Sequence, residues 1–252
     1  MSDYDSFFKL LKSSRRTAVL TGAGISTLSG IPDFRSNGGV YSKKFGSIPV
    51  ERLLEIDFFM NHPQEFYAWA REGWYSDAVY KPSIVHETVK MMEEKGLLSD
   101  GVWTQNIDSL HTYCGSKRVY ELHGTLRTST CTKCGRKYTF DETRNALRDN
   151  AYPECPECGG LIRPDIVFYG ENLDETLIEK AHSVMSSVDL TIVLGSSLVV
   201  NPVASLPLLT LYGGGKVVIV NRDSTYLDSK AAFVFDDLAR WGEKTAKILE
   251  KY

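Results

Sequence analysis

Four cysteines in two Cys-x-x-Cys pairs restrict this chain more than any other feature. Cys131-Thr-Lys-Cys134 and Cys155-Pro-Glu-Cys158 are separated by twenty residues, the spacing of zinc ribbons. Four thiolates give a tetrahedral Zn²⁺ a closed shell with no open position, so one structural rather than catalytic ion is expected. Gly135 and Gly159-Gly160 follow the pairs, as tight metal knuckles need, and Asp141 to Arg148 read as a short helix between them. Cys114 has no partner at metal spacing and reads as a free thiol. The N-terminus, Met1-Ser-Asp-Tyr-Asp, shows no basic region before an apolar run, so no secretory signal is read. Paired cysteines without an export signal favour metal in a reducing compartment over disulfides, and a cytoplasmic location is expected.

A ribbon accounts for a small part of 252 residues. Near the start, Thr17-Ala18-Val19-Leu20 is an apolar, β-branched run that reads as a buried strand. Gly22 and Gly24 then let the backbone turn sharply and approach a ligand. A helix opening at Ile25 to Leu28 would offer free N–H groups to an anion such as a diphosphate. The third glycine of the dinucleotide fingerprint is absent, since Thr27 stands there. Pro32, Asp33, Phe34 and Arg35 put an acid, a ring and a guanidinium beside the same turn. Ser36-Asn37-Gly38-Gly39 follow, readable as a mobile lid or a solvent turn.

Further along, strand candidates end in polar groups. Val102 to Thr104 leads into Gln105-Asn106-Ile107-Asp108, and Val119 to Leu122 into His123-Gly124. Leu190 to Leu194 leads into Gly195-Ser196-Ser197, and Val217 to Val220 into Asn221. Ile166 to Tyr169 is a further apolar strand candidate. Between them lie helical patterns: Ser6 to Leu11, one opening at Pro82-Ser83 and ending at Gly96, Leu173 to Ser187, one opened by Pro202, and the C-terminal stretch packing Leu238, Trp241, Ile248 and Leu249. Residues 40 to 81 carry ten aromatic rings and read as short helices, with Asn61 as a cap and Pro63 in a first turn. His111 reads as a helix surface residue.

Strands alternating with helices predict an α/β fold, a doubly wound, Rossmann-like parallel sheet with a smaller zinc-ribbon plus helical insert domain. Ligands in such sheets gather beyond the strands' carboxyl ends. The expected division is 1–35, 82–125 and 164–252 for the sheet domain, 36–81 for the cofactor loop and helical insert, and 126–163 for the ribbon. A net charge of −3 gives no reason to expect nonspecific nucleic-acid binding, and the apolar runs are far short of a membrane span.

The set Gly22-Ala-Gly-Ile-Ser26, Gly30-Ile-Pro-Asp-Phe-Arg35, Gln105-Asn-Ile-Asp108, His123-Gly124, the two cysteine pairs and Gly195-Ser-Ser197 resembles the sirtuins. The resemblance covers nearly the whole chain, in order. Its short termini are similar to the bacterial and archaeal type. Tyr169 departs from it, standing where phenylalanine is common. The resemblance implies an NAD-dependent protein lysine deacetylase that transfers the acetyl group to ADP-ribose. It implies that Gly22, Ala23, Thr27, Asp33, Phe34, Arg35, Gly195, Ser196, Ser197 and Asn221 contact NAD, with Leu238 at the adenine. Gln105, Asn106, Ile107 and Asp108 would surround the ribose and nicotinamide, Asp108 holding the carboxamide. His123 would accept the proton, with Asn106 beside it in the catalytic set. Val167, Phe168, Gly170 and Leu198 would meet the acyl-lysine peptide, taken up by strand addition.

Sirtuins that prefer succinyl or malonyl groups resemble one another in a Tyr-x-x-Arg pair. Here Tyr67 is followed three residues later by Ala70, with Arg71 one place out of register. That is about 100° around a helix of roughly 3.6 residues per turn. A neutral acyl group is therefore expected. The expected partners are acetylated lysines in proteins or peptides, with no specific nucleic acid, no membrane, and the chain a monomer. Two other readings stand beside this one: a mono-ADP-ribosyltransferase, and a non-catalytic NAD- and zinc-binding module.

Overall fold

Six strands lie side by side in one parallel sheet in the computed structural model, which describes residues 3–35 and 38–252. In chain order the strands of the protein are β1 (Thr17–Thr21), β2 (Lys44–Phe45), β3 (Ile48–Pro49), β4 (Val102–Thr104), β5 (Val119–Glu121), β6 (Gly124–Cys131), β7 (Lys137–Thr139), β8 (Ile162–Ile166), β9 (Leu190–Leu194), β10 (Lys216–Val220) and β11 (Phe233–Phe235). The large sheet runs β11-β10-β9-β1-β4-β5. Its first three strands in sequence, β1, β4 and β5, build outward in one direction and the last three in the other. That is the strand order of dinucleotide-binding folds, with the reversal between β1 and β9.

The sheet is buried on both faces, and β1 shows how. Val19 faces a core with Phe7, Val85, Val89, Met92 and Trp241, brought by the helices Asp3–Ser13, Ile84–Glu94 and Leu238–Leu249. Its neighbours Ala18 and Leu20 face the opposite core, with Ala181, Met185 and Leu206 from the helices Glu175–Met185 and Leu206–Tyr212. A strand covered on both sides has no charged face, which is why β1, β4 and β9 are apolar apart from buried threonines.

The remaining strands form the satellite. Antiparallel β7-β6-β8 carries the cysteine pairs, and β2-β3 is a small hairpin. The short helices Val50–Leu53, Ile56–Asn61 and Pro63–Glu72 pack the aromatic region into its own core, where Phe59, Phe66, Tyr67 and Phe168 are buried together.

Several expectations need correction. Asn61 is not a cap: it is the last residue of Ile56–Asn61, and its amide donates back to the Asp57 carbonyl, while His62 precedes the next helix. His111 is not on a surface: it is buried, with Nε2 3.2 Å from Thr21 Oγ1. The strand expected over 166–169 ends at Ile166, because its β6 partner ends there and Val167 instead donates to the His123 carbonyl. The helix at the glycine turn is only Gly24–Thr27. β11 and the β2-β3 hairpin have no counterpart in the sequence reading. Of the stretch read as a lid or turn, Ser36 and Asn37 lie outside the described residues.

Candidate active site

Four adjacent strands, β10, β9, β1 and β4, end on the same side of the sheet. Their turns are the four polar segments singled out in the sequence. At the reversal point the β1 and β9 turns touch: Gly22 N donates to Leu194 O at 3.0 Å and Gly24 N to Gly195 O at 2.9 Å. Gly195 has φ +64°, and a Cβ there would stand 2.5 Å from Ile25 N. A side chain there would force the two turns apart in a backbone conformation that favours glycine.

A cavity of about 1410 Å³ opens along this edge, larger than the 300–1,000 Å³ usual for one drug-sized ligand. Gly22, Ala23, Thr27, Asp33, Phe34 and Arg35 line it from the first turn. Gln105, Asn106, Ile107 and His123 line the middle, and Gly195, Ser196, Ser197, Asn221 and Leu238 the far end. Val167, Phe168 and Gly170 line the side nearest the aromatic insert. Phe168 is nevertheless nearly all core, its ring 4.5 Å from that of Phe59.

Two expected residues sit behind the wall. Leu198 is buried in the core below, with φ +52°. Asp108 has both oxygens engaged: Oδ2 accepts from Ser26 Oγ at 2.6 Å and Oδ1 from Leu110 N at 2.9 Å. Burial raises its pKa, and these two hydrogen bonds oppose the rise.

The floor of the cavity is a hydrogen-bonded lattice. Asn106 Nδ2 donates to Gly22 O and to Ser26 Oγ, each at 3.1 Å, tying β4's turn to β1's. Gln105 Nε2 donates to Ser196 Oγ at 2.7 Å, tying β4's turn to β9's. These short polar side chains therefore hold three loops in one register before any ligand arrives.

His123 stands where the sheet gives way to the ribbon. Its Nδ1 lies 3.0 Å from the Gln105 carbonyl oxygen. A carbonyl only accepts, so Nδ1 carries the hydrogen and Nε2 keeps its lone pair. Burial lowers the pKa of the imidazole; the Gln105 carbonyl works against this, and the Arg35 guanidinium adds to the lowering. A neutral ring with a free Nε2 on a cavity wall can take a proton from a bound molecule. Gly124, at φ +74°, allows β6 to approach β8 beside it: a Cβ there would be 2.1 Å from Asp165 O.

The four cysteines also converge. Their sulfurs all lie within 4.8 Å of one another, with Cys131 and Cys158 at 3.4 Å and Cys134 and Cys155 at 3.7 Å. A tetrahedron with Zn–S bonds of about 2.3 Å has edges of roughly 3.8 Å, so the donor set fits one zinc ion with all positions filled.

Sequence reasoning missed other parts of the wall. Asp236, Asp237 and Arg240 border the far end because β11 ends there; the apolar run Phe233-Val234-Phe235 was the signal that could have found them. Tyr41 and Tyr169 border the near end, hidden among many aromatic residues.

The profile of the Sir2 family matches residues 22–202. The chain is 47% identical over 230 residues to an NAD-dependent protein deacetylase of Thermotoga maritima, covering 91% of each chain. It is 39% identical over 231 residues to an NAD-dependent protein deacetylase of Clostridium acetobutylicum, again 91% of each. Among solved structures it is similar to a Sir2 with p53 peptide and NAD⁺, with a TM-score of 0.88, 44% identity, and 99% and 98% of the two chains covered. It is similar as well to Sir2Tm bound to a propionylated peptide, with a TM-score of 0.87, 43% identity, and coverage of 99% and 98%.

Proposed function

This chain belongs to the Sir2 family, and from that premise we propose that it is an NAD-dependent protein lysine deacetylase. It would transfer an acetyl group from lysine to ADP-ribose and release nicotinamide and O-acetyl-ADP-ribose. The observation that carries the reading is His123: a half-buried imidazole, its Nδ1 held by Gln105 O and its Nε2 with no hydrogen-bond partner among the described residues, on the wall of a cavity at the reversal point of a dinucleotide-type sheet. A binding module has no use for such a base.

NAD, when bound, supplies a ribose carbon that loses nicotinamide readily and so offers the electrophile that an unactivated amide lacks. The chain's residues do the rest. The turns at Gly22 and Gly195 admit a diphosphate against bare backbone. Ser196, Ser197 and Asn221 take the adenosine half, with Leu238 at its edge. Gln105 and Asn106 present amides to the ribose and carboxamide. A direct bond from Asp108 to the carboxamide requires Oδ2 to exchange Ser26 for the ligand. His123 Nε2 accepts the hydroxyl proton. Val167 and Phe168 flank the lysine stem, and Gly170, exposed at the rim, receives peptide backbone.

A neutral acyl group is supported by what became of the two helix residues. Tyr67 is buried and donates to the Ile162 carbonyl. Arg71 reaches the Asn150 carbonyl. Neither borders the cavity, so neither can meet a succinyl carboxylate. We take the chain to act as a cytoplasmic monomer on acetylated proteins or peptides. No helix among the described residues is long and apolar enough to cross a membrane.

The test is an acyl-peptide panel with and without NAD, read by nicotinamide release and peptide mass. Acetyl loss that requires NAD is the expected result. Gain of ADP-ribose on a protein would move the assignment to ADP-ribosyl transfer. Succinyl loss outpacing acetyl loss would overturn the acyl preference.

A further inference from the structure

One pair of hydroxyls on the cavity wall does no chemistry in this scheme. Tyr41 and Tyr169 meet oxygen to oxygen at 2.7 Å. The two come from different bodies. Tyr169 is fixed on both sides of its peptide: its N donates to Leu54 O at 2.8 Å, and its O accepts from Ile56 N at 2.9 Å. Tyr41 belongs to the loop that begins at Asp33. That loop is pinched at its base, where Val40 N donates to Asp33 O and Tyr41 N to Phe34 O, at 2.8 and 2.9 Å. The Tyr41 ring packs on Phe34 at 5.3 Å.

Arg35 completes the contact. Its Nη2 donates to Tyr169 Oη at 2.9 Å, and its guanidinium lies 5.1 Å from the centre of the Tyr41 ring. The Tyr169 oxygen is thus the shared acceptor of a charge-assisted bond and a partner in a neutral one. Burial, and then the bond to Tyr169, raise the pKa of Tyr41, so its hydroxyl keeps its proton near neutrality.

We infer that Tyr169 is a positioning residue: its hydroxyl fastens Arg35 and Tyr41 to the segment that carries Val167 and Phe168, and so sets Phe34 and Arg35 at the cavity. The inference rests on the cavity being the NAD site. Fastening the loop in advance lowers the ordering cost of binding. Tyr169 carries two bonds of the latch and Tyr41 only one, which gives the proposal its signature.

The experiment is a double-mutant cycle with Tyr169→Phe, Tyr41→Phe and the pair, each isosteric and without loss of core contact. NAD binding is measured directly, without peptide, together with kcat and KM and amide hydrogen exchange at 38–41. Tyr169→Phe should weaken NAD binding about threefold to tenfold, the range for lost hydrogen bonds. Its KM for NAD should rise in step, and kcat should change less. Tyr41→Phe should do less. The double variant should match Tyr169→Phe, because both substitutions remove the same hydroxyl bond. Exchange at 38–41 should quicken, and exchange in β9 should not. Unchanged binding in Tyr169→Phe, or effects that multiply in the double variant, would overturn the latch. A wild-type chain that binds no NAD would sink the functional reading instead, and the exchange comparison would still decide the latch.

Discussion

The parallel sheet and the cysteine ribbon stand side by side in one chain but are held together differently. The sheet is sandwiched between two apolar cores, each with buried residues from several helices. The ribbon's own cluster is Cys131, Tyr138, Cys155 and Ile162, with Cys158 at its margin. A span such as 126–163 is below the roughly 40 residues under which domains need a metal or disulfides. Apolar burial therefore stabilises the sheet, whereas the sulfur end of the ribbon depends on metal–thiolate bonds and its other end, at Leu126 and Leu147, is buried against the aromatic insert. The join between them is the instructive part. His123 immediately precedes β6 and Val167 immediately follows β8, and Val167 N donates to His123 O at 2.9 Å. His123 and Val167 thus hang from a strand pair whose far end carries the cysteine cluster.

The strongest way to break the comparison is to remove the metal. Structural zinc contributes about 10–16 kcal/mol in small metal-folded peptides. Chelation, or Cys155→Ala, should unfold the ribbon and abolish deacetylation, while far-UV circular dichroism retains the signal of the sheet and its helices. Full activity at zero zinc content, measured on one sample, would show that the join does not depend on the ribbon.

The next largest effect is confined to chemistry. His123→Ala should lower kcat by about 10²–10⁴, the range for a general base, and leave NAD affinity and the melting temperature as they are. Because burial lowers the His123 pKa, the acid limb of kcat/KM should lie below the ordinary histidine value of 6.5. The base is neutral above its pKa, so activity is lost only on further acidification. A limb at or above 6.5 in the pH–rate profile would contradict this.

Within the sheet domain, stability should respond to acid through two buried histidines. His86 and His111 lie beneath the sheet with ring centres 4.6 Å apart. Burial lowers His86 to about 4, and burial and His86 together put His111 well below 6.5. The unfolded chain binds these protons near 6.5 and the folded chain does not, so stability falls as pH drops from 6.5 towards 4. His86 alone accounts for about 3 kcal/mol at 1.36 kcal/mol per unit. Urea unfolding should therefore show a lower midpoint at about pH 5 than at about pH 7, and an unchanged midpoint would refute the neutral pair.

The smallest effect sharpens the contrast at the cofactor crossing. Gly195→Ala forces a Cβ into Ile25 N and should cost about 1–3 kcal/mol, as overpacking does. Calorimetry should show this as a modest loss of stability, with NAD binding weakened by the shifted turn. A variant with wild-type binding would mean the two turns can part freely.

Much of the molecule was legible before folding. The polar ends of β1, β4, β9 and β10 could be read because each follows a mostly apolar run and opens on glycine or amide side chains. The cysteine pairs could be read because metal geometry demands fixed spacing. His111 was misread because a polar side chain in a helix looks exposed until its partner, Thr21, is known; Asn61 was misread because the break between helices falls one residue later, at His62. Tyr169 looked like an incidental replacement for phenylalanine until its hydroxyl was found against Tyr41 and Arg35.

The sequence by itself determined the local elements, the donor set for one zinc ion, and the family. Each depends on neighbours a few residues apart or on an ordered set of motifs. Only the tertiary structure decided that β9 lies beside β1, that His123 points Nδ1 at Gln105 O, that Asp108 is turned away towards Ser26, and that Tyr169 closes the loop. Those facts join residues 18 to 173 positions apart. Such contacts follow from how two apolar cores close over a sheet, and no local pattern encodes that closure.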